Sequence, residues 1–143
     1  MAPTEERAVE ILGLKLRGKG RPPLRAFVDS GFAAKAFASL ADYANISRVD
    51  LARAADIPLR TVQRREGSGT RKFERDESDR LARIARLYAM AESVLGSREE
   101  AQLWMKAPNR ALDGARPLDE LETEVAAREV EDLLGRIQYG IFG

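Results

Sequence analysis

"SRVDLARAADIPLRTVQRREG", residues 47–67, decides how the rest of the chain is read. Ser47 and Asp50 form a Ser-x-x-acid start, the pattern that caps a helix N-terminus. Leu51, Ala52 and Ala55 then fall on one helical face, and Pro58 opens a second short helix, where its missing N–H costs little. Two short helices crossing closely want a small residue at the crossing and apolar residues around it. Ala52 meets the first need, and Leu51, Ile57 and Val62 meet the second. The stretch from Arg48 to Arg65 therefore has the dimensions of a helix-turn-helix. Its second helix is predicted to project Arg60, Thr61, Gln63, Arg64 and Arg65 toward a groove in DNA. Arg binds guanine edges in bidentate fashion, Gln binds adenine, and both reach phosphates. Asp56 stands at the turn where Gly is commoner, and Asp tolerates the left-handed conformation such a turn asks for. Arg65 stands where an apolar residue is often found. A plain helical hairpin with a basic face is the competing structural reading.

Outward from this motif the periodic segments also read as helix, so an all-α fold is expected. Before the motif Phe37, Leu40 and Tyr43 recur at steps of three, with Phe32 five residues ahead of them and Ser30-Gly31 as a break. After it, "EGSGTRKFERDESD" reads as a loop carrying Arg71, Lys72 and Arg75. A long helix follows, with Leu81, Ile84, Tyr88, Ala91 and Leu95 as its seam and Gly96 as its stop. That seam serves either as internal core or as a dimer surface. Ser97 with Glu100 caps a helix carrying Trp104 and Met105, and these two are expected in the core. "APNRALDGARP" is turn-rich, and Pro117 begins a short turn of helix. Thr123 caps a last helix with Ala126, Val130, Leu133, Leu134 and Ile137 on its inner face. Residues 1–25 end in "LRGKGRPPLR" and are expected to be a flexible arm, with a short helix around Val9–Leu16.

Composition removes whole classes of chemistry. The 143 residues include no cysteine and no histidine. Disulfides, zinc fingers, thiol nucleophiles and Ser-His catalysis are thereby gone, and no metal site or cofactor is expected. No glycine-rich phosphate loop stands out either, so an enzyme is not expected. No window of about 18 apolar residues exists to cross a membrane. The acid-containing N-terminus does not resemble a secretory signal, so a cytoplasmic protein is expected. The net charge of +1 conceals an uneven distribution. Residues 1–90 carry 18 Lys or Arg against 12 Asp or Glu, and residues 91–143 carry 6 against 11. A basic front and an acidic back suit two different partners.

The chain ends in Tyr139-Gly140-Ile141-Phe142-Gly143, an apolar tip where chain ends are usually polar. Either it folds back on its own helices or it serves a partner. Here a resemblance enters. Gly96, Ala101 and Trp104, Pro-Asn-x-Ala-Leu-x-Gly-x-x-Pro across 108–117, Thr123, and "VEDLLGRIQYGIF" at 130–142 resemble the toxin-binding domain of Xre/MbcA/ParS-type antitoxins. "LRTVQRR" and "DESDRLARIARL" resemble the Xre-like helix-turn-helix of the same family. Ala126 and Asp113 depart from glycines frequent in the family, and Pro58 from a capping Ser.

The resemblance covers about residues 26–143. It implies a helix-turn-helix domain over 26–90 and a toxin-binding domain over 91–143. It further implies an antitoxin of a type II toxin–antitoxin system whose partner is a RES-domain, NAD-consuming toxin. The C-terminal segment would reach the toxin's active-site cleft, with Arg136, Tyr139, Gly140, Ile141, Phe142 and Gly143 in contact, and the helix-turn-helix would repress the chain's own operon. A single helix-turn-helix reads one half-site, so a homodimer on a palindromic operator is expected. The alternative is a stand-alone helix-turn-helix regulator with no toxin. The acids Glu120, Glu122, Glu124, Glu129 and Glu131 read either as a solvated helix face or as a steering surface for a basic cleft.

Overall fold

A computed structural model of the chain describes residues 3–14, 23–67 and 71–140. Among them the chain is helical: α1 (Pro3–Ile11), α2 (Leu24–Ser30), α3 (Lys35–Ala44), α4 (Arg48–Ala54), α5 (Leu59–Gly67), α6 (Arg75–Leu95), α7 (Arg98–Lys106) and α8 (Glu124–Gln138). Two short 3₁₀ turns, Arg110–Leu112 and Pro117–Glu120, lie between α7 and α8. The all-α expectation holds. Extended pairing among the described residues is limited to one isolated antiparallel bridge, Ala33 with Lys72.

The spine is α6. Glu74 and Glu77 close a capping box at its start, and Gly96, at φ 105°, ends it in the left-handed region. Leu81, Ile84, Ala85, Tyr88 and Ala91 are fully buried along it. Helices α1, α2, α3, α7 and α8 all pack on it, and one continuous apolar core runs from Ala8 to Leu134. Each large apolar side chain so buried contributes about 1.5–3 kcal/mol. The seam from Leu81 to Ala91 is therefore internal core, and it is not available as a dimer surface. The expected division after residue 90 falls inside α6, so both halves share one helix and one core.

The expectation of a flexible arm at residues 1–25 is corrected where the structure describes them. Residues 3–11 form α1, earlier than the helix expected around Val9–Leu16. Val9, Ile11 and Leu12 are buried. Nε of Arg7 donates to Glu92 of α6 at 3.1 Å, and Ser39 of α3 donates its hydroxyl to the carbonyl of Ile11 at 2.8 Å. The apolar spacing is what a buried helix needs; the glycines and prolines that suggested a linker come later. Residues 15–22 of that expected arm lie outside the described residues.

Gly31 separates α2 from α3 with φ 83°. A Cβ there would sit 2.3 Å from the carbonyl oxygen of Phe73. This close approach lets Phe73 donate its N–H to the carbonyl of Phe32 at 2.8 Å, while Phe32 donates its own N–H to the buried Ser78 hydroxyl at 2.8 Å. No helix among the described residues is long and apolar enough to cross a membrane.

Candidate functional site

The helix-turn-helix is built from local bonds that the sequence encodes. The Ser47 hydroxyl accepts the N–H of Asp50 at 3.0 Å and starts α4. The turn passes through Asp56 at φ 52°. Ile57 then donates its N–H to the carbonyl of Ala52 at 2.9 Å, and the Pro58 carbonyl accepts the N–H groups of Thr61 and Val62 to begin α5. Leu51, Ala52, Ile57 and Val62 are all buried, as the motif requires. The spine helix finishes the turn. Arg80 of α6 donates Nε to the carbonyl of Ala55 at 2.7 Å, satisfying one of the orphan carbonyls at the end of α4.

Arg60, Gln63 and Arg64 are exposed on α5, and Thr61 is half-buried beside them. Arg65 belongs to a different face. Its side chain is only 20% exposed. Nε donates to Oε1 of Glu77 at 3.1 Å and Nη2 to Oε2 at 3.3 Å. Nη2 also lies 3.1 Å from the carboxylate of Glu74. The bond to Glu77 is the main cause that raises the guanidinium's pKa above its ordinary value. The expectation that Arg65 points at DNA is thus revised: it ties α5 to the start of α6. The apolar preference at this position hinted at an inward direction, but the acids that receive it lie 9 and 12 residues further on.

The second candidate surface lies at the other end of the chain. Ser97 and Thr123 cap α7 and α8 as expected, accepting N–H bonds from Glu100 and Ala126 at 3.1 Å each. Met105 is fully buried, and Trp104 is partly buried against the core. Between α7 and α8 the loop closes on itself. Asn109 accepts the N–H of Ala111 at its side chain and that of Gly114 at its carbonyl, while Asp113 takes φ 55°. The inner face of α8 is Ala127, Val130, Leu133 and Leu134. Ala126, expected on that face, is half-buried and Ala127 takes its place, which rotates the start of the stripe by one residue.

Past Leu134 the helix leaves the core. Ile137 is half-buried, and Arg136, Gln138 and Gly140 are exposed. Tyr139 is 77% exposed. Ile141, Phe142 and Gly143 lie outside the described residues. Glu122, Glu124, Glu129 and Glu131 are exposed, and Glu120 is half-buried.

This two-ended arrangement meets two family models. Residues 23–86 match the antitoxin Xre-like helix-turn-helix domain, and residues 90–140 match the antitoxin Xre/MbcA/ParS C-terminal toxin-binding domain. The chain is 36% identical over 121 residues to an antitoxin Xre of Photorhabdus laumondii subsp. laumondii, covering 84% of this chain and 81% of that one. It is 35% identical to an antitoxin Xre of Yersinia enterocolitica, covering 80% and 78%. A Pseudomonas putida antitoxin Xre is 34% identical, with 79% and 69% covered. The chain belongs to the Xre antitoxin family. The helix-turn-helix match spans α2 to the middle of α6, and the toxin-binding match begins within the last turns of the same helix. In this Xre-family chain the two matched regions are therefore joined by a rigid element. Helix α1 precedes both matches and still supplies core residues.

Proposed function

We propose that this Xre-family chain neutralises a RES-domain, NAD-consuming toxin by direct binding and represses its own operon. Neutralisation is assigned to Arg136 and the segment Tyr139-Gly140-Ile141-Phe142-Gly143, inserted into the toxin's active-site cleft. The observation that carries this reading is Tyr139, an aromatic 77% exposed at the end of a helix that has already left its own core. Aromatics bury much surface at low entropy cost and serve as anchors at interfaces. A nucleotide pocket, largely apolar with a few fixed polar groups, suits such a tip. Repression is assigned to Arg60, Thr61, Gln63 and Arg64 on α5, acting in a homodimer on a palindromic operator. The protein acts in the cytoplasm by binding, without a cofactor and without catalysis of its own.

The deciding experiment measures intracellular NAD while the neighbouring toxin reading frame is expressed, with and without this chain. NAD that collapses alone and is preserved by co-expression is the expected result. Unchanged NAD and growth in both cultures would overturn the RES-toxin reading and leave a helix-turn-helix regulator.

A further inference from the structure

We propose that Lys35 and Lys72 form a phosphate-binding clamp beside the helix-turn-helix, contacting the DNA backbone that flanks the half-site. The inference rests on the DNA-binding reading above and extends it to a surface outside the motif. Lys72 lies on the segment that follows the recognition helix α5, and Lys35 opens α3. The chain brings these two places together and fixes them. Lys72 pairs with Ala33 in the antiparallel bridge. On one side of it Ala34 donates its N–H to the carbonyl of Arg71 at 2.6 Å, and on the other Phe73 donates to Phe32 at 2.8 Å. Phe32 and Phe73 are buried, and the Phe73 and Phe37 rings lie 6.2 Å apart. Gly31 makes the approach possible, since any side chain there would meet the Phe73 carbonyl. The two lysines are therefore held on a rigid backbone, and both are exposed.

Charge pairing separates these lysines from most of the basic residues around them. Arg48 is paired with Glu66 and Arg53 with Asp50, Arg65 with Glu74 and Glu77, and Arg75 with Asp29. Among the described residues Lys35, Lys72, Arg60 and Arg64 hold no ion pair. A cation already neutralised by a carboxylate must surrender that partner to engage a phosphate. An unpaired cation gives its full contribution to counterion release on DNA. The cations without an ion pair thus include two side chains on the recognition helix and two on the pinned segments that flank the motif in the chain. The first pair is suited to read bases, and the second to fix register on the backbone.

The test uses the full chain and two duplexes, one from upstream of its own gene and one of scrambled sequence, titrated by fluorescence anisotropy over a salt series. For Lys35→Ala/Lys72→Ala, the slope of log K against log salt should become about 2 units less steep. Affinity for both duplexes should fall by the same factor, leaving their ratio unchanged. Lys35→Arg/Lys72→Arg should restore the slope. Arg64→Ala, by contrast, should lower the ratio between the duplexes. A double alanine variant with unchanged circular dichroism and an unchanged slope would overturn the clamp. Wild-type chain that binds neither duplex would overturn the DNA-binding reading and the clamp with it.

Discussion

Arg98 completes the helix that ends beside Tyr43. From α7 its Nε donates to the Tyr43 carbonyl at 3.0 Å and its guanidinium lies 4.9 Å from the centre of the Tyr43 ring. Nη2 reaches the Asp42 carbonyl at 2.9 Å, and Gln102 adds a second bond to the Tyr43 carbonyl at 2.8 Å. The last carbonyls of a helix have no partner within it. Here the toxin-binding half supplies those partners to α3, the helix that leads into the helix-turn-helix.

The Arg98→Ala/Gln102→Ala variant should lose about 1–3 kcal/mol of stability, the range for removing net hydrogen bonds and leaving carbonyls unsatisfied. Asp42→Asn should change stability by less than about 0.5 kcal/mol, because its carboxylate is 91% exposed and 3.9 Å from Arg98. Urea unfolding of the two variants checks both values. Equal effects would mean that the surface ion pair, and not the helix end, is what Arg98 serves.

Neighbouring arginines on α5 should separate stability from DNA affinity. Arg65→Ala leaves the buried Glu77 with its capping bond to the Glu74 N–H but without its charged partner, and should cost about 1–3 kcal/mol. Arg64→Ala removes an exposed side chain and should leave stability within about 0.5 kcal/mol. In a binding assay on the upstream duplex, Arg64→Ala should lower affinity directly. Arg65→Ala should lower it only as far as α5 is loosened. Thermal melts run beside the binding assay distinguish these outcomes.

Signals that act over three or four residues were legible in the sequence. Ser47, Ser97 and Thr123 cap where their spacing says they should, because a cap is a bond to an N–H three positions away. Asp56 takes the positive φ that its turn demands. Placement that depends on distant partners was not legible. Arg65 turns inward because Glu74 and Glu77 await it on another helix. The N-terminal segment is a packed helix because α6 offers an apolar face some 70 residues later. The start of the α8 stripe is set by its packing on α6, and one residue of rotation exchanges Ala126 for Ala127. For the candidate toxin-binding tip, the sequence shows an apolar composition, and the fold adds that Tyr139 stays 77% exposed.

Alkaline titration should expose the buried phenols. Tyr43 donates its hydroxyl to Glu92, and its ring meets that of Tyr88 edge-on at 6.0 Å. Burial, and then the bond to the Glu92 carboxylate, pushes the Tyr43 pKa above its usual 10.0. Burial does the same to Tyr88. Both groups are raised in the folded state, so their contribution to stability is fully present below about pH 10. It is lost as pH climbs from there through the folded values. Ultraviolet absorbance of tyrosinate should show two phenols resisting ionisation in the folded chain and titrating normally in urea. Tyr43→Phe should remove one of them. A folded chain whose phenols all ionise as in urea would contradict the burial of this pair.

Truncating the side chain of Tyr139 should affect function without affecting the described fold. Tyr139 is 77% exposed, and the buried stripe of α8 ends at Leu134. Tyr139→Ala removes an exposed side chain and should change stability by about 0.5 kcal/mol or less, so its melting temperature should hold. If the tip is the anchor in a toxin cleft, Tyr139→Ala alone should weaken toxin binding by about 2 kcal/mol, some 30-fold. The five-residue deletion should then abolish neutralisation. Calorimetric titration of each variant against the purified partner toxin, with a parallel melt, checks both halves of the prediction. A truncated chain that still neutralises the toxin would move the inhibitory contact back onto the exposed side of α8, where Arg136 and the acids Glu129 and Glu131 would be the next substitutions.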